Sequence, residues 1–246
     1  MGATRLDARL VSDGLVPSRA RARDLILRGF VRVEGAICDK PARTVSLDAR
    51  VELIENTPQF VSRGAEKLIA ALDHFGFDPA DLVALDIGAS TGGFTQALLQ
   101  RGARRVYAVD VGQSQLHDTL KSDARVVSLE KQDARTLTSE MINEPIDAMV
   151  ADVSFIALTK VLQPVLPLTR PGAWLAALIK PQFELDPDSI GKGGIVRDEA
   201  LRHVATEKVV AMLTATPGWR VLGVMLSPIL GGSGNEEFLI GARREG

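Results

Sequence analysis

From residue 82 onward, short apolar runs alternate with helical patterns, and this alternation constrains the fold more than any other feature. Leu82–Ile87, Val106–Val109, Val126–Leu129, Ala148–Ala151 and Trp174–Ile179 read as strands. Phe94–Gln100, Ile156–Leu168 and Glu199–Leu213 read as helices. Strands that are apolar along their whole length are covered on both faces, so the expected architecture is α/β, with a mostly parallel sheet between helical layers. The last two runs, Val221–Leu226 and Phe238–Ile240, have only Gly231-Gly232-Ser233-Gly234 and its neighbours between them. Without an intervening helix they are predicted to form an antiparallel hairpin, so the last strand of the mostly parallel sheet is antiparallel.

The first 54 residues have a different character. Between Arg5 and Arg32 there are seven arginines and three aspartates, a net +4 in 28 residues, whereas the whole 246-residue chain carries −2. The remainder therefore carries −6. Arginine suits bidentate phosphate contacts, although a solvated helix face would have the same composition. Leu6, Leu10, Val11 and Leu15 repeat at helical spacing. Ser18 is a suitable N-cap for a second helix with Ala20, Leu25, Ile26 and Leu27 on its apolar face and Gly29 at its end. Short strand-like pieces follow at 31–33, 36–38 and 51–54. The expected division is a small α+β domain over 1–54, a linker over 55–62 broken by Pro58, and a larger domain over 63–246 that opens with a helix carrying Lys67, Leu68, Ala71, Leu72 and Phe75.

Composition excludes several classes. The apolar run Trp174–Ile179 near the middle has six residues, against the ~20 of a membrane-spanning helix. Met1–Arg9 has no apolar core of a secretory signal, so a cytoplasmic location is expected. A single cysteine, Cys38, excludes an internal disulfide framework, and three scattered histidines argue against a metal site.

Chemistry concentrates at the ends of the apolar runs. Leu85-Asp86-Ile87-Gly88-Ala89-Ser90-Thr91-Gly92-Gly93-Phe94 leaves a buried strand and opens a helix, where a ligand can approach the backbone. Its glycines do not fit G-x-G-x-x-G and it lacks a P-loop lysine. Asp110 ends the second run, and Gln132-Asp133 follows the third. Glycine, acid and acid at three successive strand ends resemble the S-adenosylmethionine site of the Rossmann-like methyltransferases. That resemblance implies Gly88, Ser90, Thr91, Gly92, Gly93 and Phe94 near the methionine part, Asp110 on the ribose and Asp133 near the adenine. Asp152 and Lys180 each directly follow a buried strand and so point into the ligand crevice.

Two larger resemblances follow. Arg5–Ala8, Ser18-Arg19, Arg28–Val33 and Asp48–Leu53 resemble the S4 RNA-binding domain, whose helices present basic side chains to structured RNA. This makes Arg5, Arg9, Arg19, Arg21, Arg28 and Arg32 candidate RNA contacts, with Arg63 joining them from the larger domain. Val61–Gly64, Asp86–Phe94, Asp152–Ile156, Lys180–Glu184, Gly191–Gly194 and Gly234-Asn235-Glu236-Glu237 resemble the TlyA, or haemolysin A, family within the FtsJ-like ribose 2′-O-methyltransferases. The match runs over nearly the whole chain. The family's Lys-Asp-Lys-Glu tetrad falls on Lys67, Asp152, Lys180 and Glu237. Glu236 and Glu237 are neighbours that point to opposite faces of a strand, and the G-N-x-E pattern favours Glu237.

The resemblance implies S-adenosylmethionine as cofactor, cytidine of 16S and/or 23S ribosomal RNA as substrate, no metal, and ribosomal subunits as partners of a monomer or homodimer. Methyl transfer from a sulfonium needs alignment of the 2′-oxygen and removal of its proton. Lys180 is expected to be the base or the orienting residue. Lysine holds its proton at neutral pH, so the first role requires Lys67 nearby. Asp152 is expected to orient the lysines, and Glu237 to hold the ribose or Lys67. The glycine-rich stretch Asp186–Gly194 reads as a lid. Two other classes compete: an RNA-binding ribosome-assembly factor without catalysis, and a membrane-active haemolysin.

Overall fold

The computed structural model describes every residue except Met1, Asn56, Pro58, Gln59 and Lys192, and it divides into two compact units, Met1–Val61 and Ser62–Gly246. The linker expected at 55–62 and the lid expected at 186–194 both include residues outside the described set.

The first unit contains β1 (Ala3–Arg5), α1 (Leu6–Ser12), α2 (Arg19–Leu27), β2 (Val31–Val33), β3 (Ala36–Ile37), β4 (Thr44–Ser46) and β5 (Val51–Leu53). β1 pairs antiparallel with β4, and a second sheet has the order β3-β2-β5. Leu6, Leu10, Leu25, Ile26 and Val31 form its core. Ser18 caps α2, its hydroxyl accepting from Arg21 N at 3.2 Å. Three expected apolar positions differ. α1 stops at Ser12, so Leu15 falls outside it, 37% exposed, and Val16 fills the buried place. Ala20 and Leu27 lie on the solvent side of α2. The β1–β4 ribbon has no counterpart in the sequence reading. Strands of three residues, with one buried side chain in β4, are too short to express a period.

The second unit contains α3 (Gly64–Phe75), β6 (Val83–Ile87), α4 (Gly93–Gln100), β7 (Arg105–Asp110), α5 (Asp118–Lys121), β8 (Val126–Glu130), β9 (Ile146–Ala151), α6 (Leu158–Val165), β10 (Thr169–Ile179), α7 (Pro181–Glu184), α8 (Glu199–Ala215), β11 (Trp219–Leu226) and β12 (Phe238–Arg244). They build one seven-stranded sheet of order β11-β12-β10-β9-β6-β7-β8. The pairs among β6, β7, β8, β9 and β10 are parallel. β12 runs antiparallel to both neighbours, β10 and β11. The hairpin forms as expected, and its second strand slots between β10 and β11.

Side-chain alternation sorts the two faces. Val83, Leu85 and Ile87 of β6 join Met149, Leu162, Val209 and Ile240 in one core, under α6 and α8. Asp86 points the other way, toward α4 and its Thr95. α3 packs on α4 and across β10 and β12. The carboxyl ends of the five parallel strands share one edge of the sheet. Because β12 is reversed, its first residues arrive at that same edge. Among the described residues no helix is long and apolar enough to cross a membrane.

Candidate active site

The edge holds two adjoining pockets. One, about 470 Å³, is lined by Gly88, Ser90, Asp110, Asp133, Asp152 and Phe155 among others. The other, about 170 Å³, shares Gly88, Ser90 and Asp152 with it and adds Thr91, Gly93, Phe94 and Lys180. Gly88 has φ +80°, and a Cβ there would stand 2.5 Å from the carbonyl oxygen of Asp152. Only glycine lets β6 turn away from β9 at this point. Gly92 serves differently. Its φ is +99° and a Cβ would collide with Leu116 and Leu120, so it buries the turn against α5 and does not line either pocket.

The acids at the strand ends are held by their backbones. Asp110 accepts from Ser90 N at 2.8 Å through Oδ2 and from Gly112 N at 2.7 Å through Oδ1. Each oxygen keeps a second lone pair for a ligand hydroxyl. Asp133 accepts from Arg135 N at 2.9 Å and pairs with the Arg135 guanidinium at 2.6 Å, which holds its carboxyl below the usual range.

Asp86 carries a role that the sequence reading did not assign. It is fully buried, and its Oδ2 accepts from Thr95 Oγ1 at 2.6 Å. Its Oδ1 has no hydrogen-bond partner. Burial, with added repulsion from Asp152 and Asp110, pushes this carboxyl up to about 7 against the pull of Thr95. An acid inside an apolar strand is the available signal, because burial of an unpaired carboxylate is costly without a purpose.

The four tetrad positions form two pairs of opposite charge. Lys67 of α3 and Glu237, the residue before β12, meet at 2.5 Å with both side chains buried. Lys180, following β10, lies 2.6 Å from Asp152 Oδ1, off the direction of a hydrogen bond, and donates to Ser154 Oγ at 2.8 Å. Ile179 pairs with Phe238, so Lys180 and Glu237 leave the sheet side by side. Glu236 faces outward and pairs with Arg202 of α8 at 2.8 Å, which answers which of the adjacent glutamates turns inward. Asn235 is buried and clasps the chain opposite, accepting from Val196 N and donating to the Gly194 carbonyl. Lys67 is thus engaged by Glu237, and Ser154 and Asp152 are the partners of Lys180.

The pattern of the FtsJ-like methyltransferase family matches residues 60–244, and that of the S4 domain matches residues 4–51. The 16S/23S rRNA (cytidine-2′-O)-methyltransferase TlyA of Mycobacterium tuberculosis is 43% identical over 98% of this chain and 90% of its own. This chain belongs to the TlyA/haemolysin A family. Hemolysin A of Brachyspira hyodysenteriae is 40% identical, covering 96% of this chain and 98% of its own. A solved structure with a provisional hemolysin label, from Streptococcus thermophilus, superposes with a TM-score of 0.77 at 36% identity, covering 100% of this chain and 90% of that one.

The arginines of this TlyA-family chain divide into two sets. Arg21 is 7% exposed and its guanidinium meets Asp24 at 3.1 Å, so it is turned inward and not toward a ligand. Arg9 is tied to Asp13 and to the Leu47 carbonyl at 2.6 Å. Arg28 packs over the Phe30 ring at 5.0 Å and lies 3.6 Å from Asp24. Arg5 and Arg19 flank the buried Asp7, at 2.9 and 3.1 Å, with about half of each side chain exposed. Arg32 is exposed on β2. Exposed Arg23 and Arg43 extend this set. Arg63, in the larger unit, is half-buried at the N-cap of α3, beside Gly232.

Proposed function

We propose that this chain transfers a methyl group from S-adenosylmethionine to the ribose 2′-oxygen of cytidine in ribosomal RNA. The observation that carries the reading is the pairing of Lys180 with Asp152 and Ser154 at the wall shared by the two pockets. Similarity to the M. tuberculosis enzyme supports the same substrate class.

The residues fit the cofactor. Asp110 offers its remaining lone pairs to ribose hydroxyls, the glycine turn leaves room at the backbone, and the free Oδ1 of Asp86 suits a cationic amino group. S-adenosylmethionine supplies an electrophilic methyl on a positively charged sulfur. The protein's part is to bring the 2′-oxygen in line and accept its proton. Lys180 already donates to Ser154, and its remaining donors can grip the 2′-oxygen. Asp152 balances the ammonium charge and is the carboxylate that receives the departing proton. Lys67 and Glu237 neutralise each other as a buried pair and line neither pocket. Phe155, 92% exposed at φ +65° and lining the larger pocket, offers a ring on which a splayed base can stack.

The front unit supplies RNA docking through its exposed arginines, residues 55–62 link it to the catalytic domain, and the substrate places the enzyme in the cytoplasm. The test is transfer of labelled methyl to purified small and large ribosomal subunits, with Lys180→Ala as control. Label on RNA that disappears in the variant is the expected result. Cofactor binding without label on either subunit overturns the reading in favour of a non-catalytic assembly factor.

A further inference from the structure

Glu184 is a buried carboxylate that methyl transfer, as described above, does not use. It ends α7, four residues after Lys180, and is 7% exposed. Its Oε1 accepts from the backbone N–H of Leu158 at 2.5 Å, and Thr159 Oγ1 donates to its Oε2 at 3.4 Å. Leu158 and Thr159 open α6, whose N-cap residue, Ala157, has no side-chain oxygen to cap it. The first N–H groups of a helix have no intrahelical acceptor, and negative charge is favoured beside them. A carboxylate from another segment therefore does what the local sequence cannot.

The consequence lies upstream of α6. Residues 152–157 join β9 to α6 and carry Asp152, Ser154 and Phe155. Residues 180–184 leave β10 and carry Lys180, Phe183 and Glu184. These two segments touch at three levels. Lys180 holds Asp152 and Ser154, the Phe183 ring lies 5.3 Å from that of Phe155, and Glu184 grips the first turn of α6. Lys208 of α8 donates to the Glu184 backbone carbonyl at 3.0 Å, anchoring the lower end of the assembly.

We propose that Glu184 is a positioning residue that, by capping α6 across the site, keeps Asp152 and Ser154 in register with Lys180. The proposal rests on the methyl-transfer reading. The substitutions rank by reach, not by charge. Glutamine keeps the length and one acceptor oxygen for Leu158 N. Aspartate keeps the charge but is one methylene short. Alanine removes both.

The experiment measures methyl transfer to ribosomal subunits at saturating cofactor, together with calorimetric S-adenosylmethionine affinity, for wild type, Glu184→Gln, Glu184→Asp and Glu184→Ala. The expected result is kcat lowered roughly 10- to 100-fold in Glu184→Ala and Glu184→Asp, the scale that about 1 Å of misplacement costs. Glu184→Gln should stay near wild type, and cofactor affinity should be unchanged throughout. If Glu184→Ala fails to fold, the glutamine and aspartate variants decide alone. Aspartate matching wild type while glutamine fails, or kcat unaffected in all variants, overturns the proposal. So does a loss of cofactor affinity in step with kcat. A silent wild type would instead overturn the methyl-transfer reading itself.

Discussion

Lys67 and Glu237 stand 170 positions apart in the chain and 2.5 Å apart in space, both nearly sealed from solvent. Removing one member leaves the other as an uncompensated buried charge, which costs about 3–5 kcal/mol. Glu237→Leu is therefore expected to lower the urea midpoint sharply. The double variant Lys67→Met/Glu237→Leu should regain most of the loss and remain inactive. A double variant as unstable as the single one would contradict the account of the pair.

Asp86 makes stability depend on pH in an unusual direction. Its folded-state value of about 7 lies above the 3.8 of an unfolded chain. Between these values the folded protein holds a proton that the unfolded chain has lost, so stability from this group falls as pH rises from about 4 to about 7. A cationic ligand group favours the ionised form, so S-adenosylmethionine affinity should rise with pH through the same window, with proton release near pH 6. Thermal melting across pH 5 to 8 should slope less in Asp86→Asn. Equal slopes in the two proteins would refute the assignment.

Phe155 predicts a separation between the two substrates. Phe155→Ala should leave S-adenosylmethionine affinity intact and lower kcat/KM for RNA by the ~1–3 kcal/mol that base stacking on an aromatic ring supplies. Weaker cofactor binding of similar size would place the ring against the adenine instead.

The arginines of the first unit should respond according to exposure. Arg32→Ala is expected to weaken RNA binding and to reduce the salt slope by about 1, as loss of a phosphate contact does. Arg21→Ala should lower the melting temperature and leave that slope unchanged, because its guanidinium faces Asp24. Titrations of RNA at several salt concentrations separate the two.

The parallel strands were legible because each is a mostly apolar run; four of them lead to glycine or an acid and β10 leads to Lys180, and those ends coincide with the ligand edge. Strand order was not, since insertion of β12 between β10 and β11 is decided by which edges remain unpaired, a tertiary matter. Asp86 was easy to pass over as a blemish in an apolar strand; its meaning depends on Thr95, nine residues later and one helix away. Arg21 and Arg32 look alike in sequence, and only packing reveals that one faces Asp24 and the other solvent. Ser154 could have been suspected from its place two residues after Asp152. Glu184 could not, because the helix it caps is reached only through the fold.

The reversed strand β12 has a consequence for how the protein is made. A ribosome delivers residues 238–244 after every other strand, yet their place is in the interior of the sheet, with β10 on one side and β11 on the other. Until they arrive, two strand edges stand open, a geometry that invites pairing with other chains. Glu237 enters with them, so the nascent polypeptide carries an incomplete tetrad until this last strand of the sheet is made. A product lacking this segment would lose activity and solubility together, so loss of this strand would be as damaging as a change in the cofactor turn.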